Sequence, residues 1–156
     1  MKECILVLDN IRSVENTGSI FRTADCLGVS KIILVGTTPA PIDRFGRKRR
    51  DFSKVSLGAE EFVPWEQAIS IDEKLNELKK EGYKIIALEQ DKKAKKLNSQ
   101  EATKLGKFVL IVGNEVEGIP RVTLGKCDEI LEIEMKGKKE SMNVSVATGI
   151  ALFNLI

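Results

Sequence analysis

Phe108-Val109-Leu110-Ile111-Val112 runs straight into Gly113-Asn114-Glu115-Val116-Glu117-Gly118-Ile119-Pro120. Five consecutive apolar residues read as a strand buried on both faces, because a strand with one wet face would alternate. The two glycines make the sequel a hinged turn at the strand's carboxyl end, the edge where α/β sheets bind ligands. The same pattern extends in both directions. Residues 4–8, 31–35, 83–88 and 130–133 are further runs rich in Ile, Val and Leu, and residues 61–63 are a candidate short strand. Between them, Ile20, Ala24 and Leu27 mark one face of a helix over 17–27, and Ile71, Leu75 and Leu78 mark another. Ser70 and Glu73 form a capping-box signature before that second helix, and Gly82 stops it. Residues 98–105 and 121–126 suggest shorter helices, and 143–156 a final one. Strands alternating with helices predict an α/β fold, a mostly parallel sheet flanked by helices, as a single domain over 1–156.

Composition narrows the chemistry. The chain has no histidine, which removes Ser-His-Asp hydrolysis and most zinc sites. Cys4, Cys26 and Cys127 are odd in number and far apart, so neither a disulfide framework nor a metal site is expected, and all three read as buried packing residues. The N-terminus lacks the pattern of a secretory leader, and no apolar run approaches the ~20 residues that span a bilayer. A cytoplasmic protein without a membrane partner is the expectation. The net charge of +2 identifies no partner, so the distribution of charge has to. Basic residues concentrate in Arg44, Arg47, Lys48, Arg49, Arg50 and Lys54, in Lys92, Lys93, Lys95 and Lys96, and in Lys136, Lys138 and Lys139. The first cluster lies in a long connection, 37–56, with Phe45 and Phe52 as its only stacking groups. Connections of that length are usually functional or mobile.

Three segments could carry chemistry. Asn16 through Thr23 opens a helix after a strand, with Asn16 as the expected N-cap and Arg22 about 200° round from Ile20, on the face away from the core. A guanidinium placed there can grip a phosphate. Residues 113–120 lack the Lys-Ser/Thr of a triphosphate-binding loop, and the chain has no G-x-G-x-x-G, so nucleotide hydrolysis and dinucleotide binding are disfavoured. Ile133-Glu134-Met135, a basic loop and Ser141-Met142-Asn143-Val144-Ser145-Val146-Ala147 place short hydrogen-bonding side chains where a helix should be capped. That last helix is apolar nearly all round. It is either central in the core or sandwiched between subunits, and the second reading is favoured.

In this order, these segments resemble the three motifs of the SpoU (TrmH-like) branch of the SPOUT methyltransferases, with a likeness running from Ile5 to Phe153. The resemblance implies a C-terminal trefoil knot, an otherwise almost unknown threading, and an obligate homodimer with active sites near the subunit boundary. It implies S-adenosyl-L-methionine as cofactor, contacted by Leu88, Gly113, Asn114, Ile133, Met135, Ser141 and Met142. It implies transfer of a methyl group to an RNA ribose 2′-hydroxyl, with tRNA ahead of rRNA. Arg22 corresponds to the catalytic arginine, and Asn16, Glu115, Ser141 and Asn143 shape its pocket. RNA would meet the dimer surface and Arg44, Arg47, Lys48, Arg49 and Arg50. The chain starts just before its first strand and stops in its last helix, so the additional RNA-binding domains of many relatives are not expected. Glu134 departs from the family, which usually has proline there. A non-catalytic RNA-binding factor on the same fold is the alternative, against which the complete polar set speaks.

Overall fold

A computed structural model describes residues 2–98 and 105–156. The described residues form a seven-stranded sheet in the order β3-β2-β1-β6-β4-β7-β5, and every adjacent pair is parallel. The strands are β1 (Glu3–Asp9), β2 (Lys31–Val35), β3 (Trp65–Ala68), β4 (Lys84–Leu88), β5 (Lys95–Lys96), β6 (Lys107–Gly113) and β7 (Glu129–Glu132). The helices are α1 (Val14–Leu27), α2 (Arg50–Ser56), α3 (Ile71–Lys80), α4 (Arg121–Leu124) and α5 (Val144–Leu155), with a 3₁₀ turn at Ala59–Glu61. The helix expected over 98–105 lies almost entirely outside the described residues.

β1 and β6 form the centre, in register from Glu3 opposite Lys107 to Asp9 opposite Gly113. Successive side chains of a strand point to opposite faces. Cys4, Leu6 and Leu8 therefore join a cluster with Ile20, Phe21, Phe52 and Leu152, beneath α1, α2 and α5. Ile5 and Val7 join Leu75, Leu78 and Leu124 on the other face, beneath α3 and α4. Each large side chain so buried contributes about 1.5–3 kcal/mol. Because all strands run the same way, their carboxyl ends lie along one edge.

Several local expectations change. Ser13, not Asn16, caps α1: its hydroxyl accepts the Asn16 backbone N–H at 3.0 Å, which leaves the Asn16 side chain free for other work. Residues 61–63 are not a strand; the 3₁₀ turn runs through Glu61 and the strand begins at Trp65. The 37–56 connection has structure of its own, an Ile42–Lys48 bridge and then α2. Phe52 is not a stacking group for RNA, because it is fully buried and packs edge-on against Phe21 with ring centres 5.1 Å apart. Of the cysteines, Cys4 is buried, Cys127 half-buried and Cys26 exposed. Burial pushes the Cys4 thiol up to about 12 and the Cys127 thiol up to about 11, so neither is a thiolate at neutral pH. In this chain α5 is not an internal helix. Thr148, Ala151, Leu152 and Leu155 face the core, while Val146 (52% exposed), Ile150 (36%) and Phe153 (77%) face outward.

Candidate active site at the carboxyl edge of the sheet

The loops leaving β4, β6 and β7 and the start of α5 enclose a cavity of about 520 Å³. Leu88, Gly113, Asn114, Ile133, Met135, Ser141 and Met142 all line it, as do Asn16, Glu115 and Asn143. Segments more than a hundred residues apart in sequence thus share one wall. Among the described residues no group of three or more Cys, Asp or Glu could hold a metal ion, and no helix is long and apolar enough to cross a membrane.

Side-chain hydrogen bonds hold these segments together. Asn143 caps α5, its Oδ1 accepting the N–H groups of Ser145 at 2.9 Å and Val146 at 3.4 Å. Its Nδ2 donates to Asn16 Oδ1 at 3.1 Å, which joins α5 to the first turn of α1. Glu115 accepts the backbone N–H of Arg12 at 3.0 Å and of Ser13 at 3.2 Å, pinning the loop before α1 to the loop after β6. With its oxygens so engaged, Glu115 is a clamp before it is a base. Asn114 folds its own loop: Oδ1 accepts from Val116 and Glu117 at 2.8 and 2.9 Å, and Nδ2 donates to the Asn10 carbonyl at 2.9 Å. Gly113 is required by close approach, because a Cβ there would meet Gly118 and Ile119 at less than 3.0 Å.

Glu89 escaped the sequence reading. Leu88 pairs with Leu131 from one side of β7 and Lys95 pairs with Leu131 from the other, so residues 89–94 strap across that strand. At the start of the strap, the Glu89 carboxylate accepts the N–H of Ile119 and of Gln90, both at 2.9 Å. Gln90 Nε2 donates to the Glu140 carbonyl at 2.8 Å. Glu89, Gln90, Glu117 and Glu132 line the cavity alongside the expected residues. A glutamate that closes an apolar run and is followed by Gln90-Asp91 carries no signal of this role.

Arg22 stands apart. It is exposed, lies six residues beyond Asn16 on α1, and is outside the cavity lining. At 1.5 Å per residue that is about 9 Å along the helix. Its neighbour Thr23 faces Gly149 of α5, and Arg22 makes no hydrogen bond or ion pair with any described residue. Glu134, the departure from the family pattern, also stays out of the lining and forms an ion pair with Lys96 at 2.8 Å. The Lys96 ammonium holds its carboxyl below the ordinary range. In the arginine-rich loop, Arg47 pairs with Asp43 (2.9 Å), Lys48 with Glu61 (2.6 Å) and Arg49 with Asp51 (2.7 Å). Arg44 lies 4.8 Å from the ring centre of Phe45, and Arg50 is exposed.

The SpoU rRNA Methylase family matches residues 3–153. The chain is similar to the 23S rRNA (guanosine-2'-O-)-methyltransferase RlmB of Escherichia coli K12, at 33% identity over 152 residues, 97% of this chain and 59% of that protein. RlmB of Ralstonia nicotianae is 34% identical over 97% of this chain and 57% of its own length. The chain thus spans under two thirds of these curated relatives. The AdoMet-bound rRNA methyltransferase from Sinorhizobium meliloti superposes with a TM-score of 0.83 at 29% identity, over 98% of this chain and 55% of that one. The A. aeolicus TrmH/SpoU tRNA modifying enzyme gives the same TM-score and identity over 99% of this chain and 74% of that one. A match that takes in all three motifs and the whole sheet places this chain in the SpoU methylase family.

Proposed function

We propose that the protein transfers a methyl group from S-adenosylmethionine to a ribose 2′-hydroxyl of RNA. One observation carries the reading: three separated motifs converge on one cavity, tied by Asn16–Asn143 and by Glu115 to the Arg12–Ser13 backbone. The cavity suits the cofactor in size, since small-molecule sites run from about 300 to 1,000 Å³. It suits it in chemistry as well. Leu88, Ile133, Met135 and Met142 offer apolar contact for a purine, and Glu89, Glu117 and Glu132 suit a ligand with a cationic centre. The group supplies a methyl carbon activated by a sulfonium.

The chain's own residues do the rest. A ribose hydroxyl is a weak nucleophile until its proton is shared or removed. The Arg22 guanidinium offers hydrogen-bond donors and no acceptor, so its part is to hold the adjoining phosphate and stabilise negative charge growing on the ribose oxygen. The clamps at Glu115 and Asn143 fix the α1 and α5 termini, which lets position replace a chance encounter. The protein acts as a homodimer in this reading, closed by the outward stripe Val146, Ile150 and Phe153. Arg22, on the helix packed against α5, lies near that boundary, and the loop that straps β7 forms the knot. Relatives are named for both 23S rRNA and tRNA; tRNA is the substrate of this reading.

Labelled methyl transfer to total cellular RNA, separated into tRNA and rRNA, tests this directly, and alkali-resistant linkages locate the mark. Arg22→Ala should lower transfer at least a hundredfold while AdoMet affinity by calorimetry stays within about twofold, as for a group that meets the RNA and not the cofactor. Near-normal turnover of that variant would remove Arg22 from its role. Label in rRNA alone would replace tRNA as the substrate.

A further inference from the structure

Charge around the cavity is segregated. Its wall carries Glu89, Glu115, Glu117 and Glu132. Its rim is lysine. Lys92 and Lys93 lie on the strap that begins with the lining residues Glu89 and Gln90. Lys136, Lys138 and Lys139 lie on the loop between the lining residues Met135 and Ser141. The hydrogen bond from Gln90 Nε2 to the Glu140 carbonyl joins the two loops into one border. We propose that these five lysines hold the phosphate backbone of the RNA, a surface that rests on the proposed methyl-transfer reading.

Availability decides between this rim and the arginine-rich loop. Arg47, Lys48 and Arg49 each already hold a carboxylate within 3 Å, which a phosphate would have to displace. All five rim lysines are exposed, and none forms an ion pair within the described residues; of the carboxylates on the same loops, Glu134 and Asp91 are taken by Lys96 and Arg121, and exposed Glu140 pairs with none of the five. Location agrees. A polyanion is repelled by the acidic wall and attracted to the rim, so its backbone runs along the mouth while a ribose can turn inward. Lysines act as point charges, able to bind phosphate without reading a base. Lys92-Lys93 and Lys136-Gly137-Lys138-Lys139 include no apolar anchor of the kind that drives protein–protein binding, so nucleic acid fits better than an acidic protein.

The test is fluorescence anisotropy of labelled bulk tRNA across a salt series. Wild type is compared with a variant carrying Lys→Gln at all five positions and with the Arg44→Gln/Arg50→Gln pair. The five-lysine variant should bind at least about tenfold more weakly, and its slope of log affinity against log salt should fall by about two to four. Its AdoMet affinity and thermal midpoint should match wild type. A wild-type slope in the lysine variant, with the loss falling on the arginine pair, overturns the proposal. So does a parallel loss of AdoMet affinity, which would make the lysines part of the cavity's architecture. Displacement of tRNA by polyglutamate at equal charge would move the surface to an acidic protein. If wild type binds no AdoMet or transfers no methyl group, the methyl-transfer reading fails, and the anisotropy still judges the rim separately.

Discussion

Asn143 uses its carbonyl oxygen to cap α5 and its amide nitrogen to hold Asn16 3.1 Å away. The two roles separate by mutation. Asn143→Ala should cost about 1 kcal/mol of stability through the lost cap, measured by urea unfolding. Asn16→Ala leaves that cap in place and should cost less, yet both should impair transfer. Glu89 offers a second separation. Hydrogen bonds to a charged group are worth about 1.5–3 kcal/mol, so Glu89→Ala should release the 118–119 turn and weaken AdoMet binding about 10- to 100-fold in calorimetry. Unchanged affinity would reduce Glu89 to a surface residue. Asn16, Ser141 and Asn143 were legible as residue types in a pattern, because short polar side chains near helix starts have few other uses, whereas Glu115, in the loop after β6, came only with the family resemblance. Glu89 was not legible, since its partner Ile119 comes from a loop thirty residues away. Ser13 was hidden by Asn16, an equally good capping residue three positions later.

At the scale of elements, α5 shows most clearly what periodicity can and cannot decide. A helix apolar all round could sit inside one core or between two. The fold places Leu152 against the sheet and leaves Phe153 outside. Leu152→Ala should therefore destabilise by about 2–5 kcal/mol. Phe153→Glu should leave the thermal midpoint of the separated chain nearly unchanged but halve the mass in sedimentation if α5 closes a homodimer. A single sedimenting mass for both proteins would exclude α5 from the interface. The buried strands were legible for the reason that α5 was ambiguous: five apolar residues in a row need cover on both faces, wherever the cover comes from. α2 was missed because its seven residues carry too little periodicity, and Phe52 is anchored by tertiary contacts, among them the edge-on packing against Phe21.

For the whole molecule, the parallel sheet gathers every strand's carboxyl end on one edge, and Asp9 sits there nearly enclosed. Burial raises its pKa, partly offset by a hydrogen bond from Asn10 Nδ2 at 3.0 Å. A carboxyl whose folded pKa exceeds its unfolded value favours the fold at low pH, and that contribution is lost as pH climbs above about 4. Asp9→Asn should accordingly gain stability over wild type at pH 7 and show no gain at pH 3, followed by urea midpoints. An equal difference at both pH values would show that Asp9 ionisation has no part in it. The alternation of strands and helices, the two-sided burial of the central strands and the polar types at the motif positions are written in the order of residues along the chain. All of these follow from local pattern and transfer free energy. Tertiary structure alone decided that the strap crosses β7, that Glu89 reaches Ile119, that Arg22 stands outside its own chain's cavity, and which lysines remain without a carboxylate. Those facts depend on which distant segments meet, and no short-range pattern encodes a partner a hundred residues away.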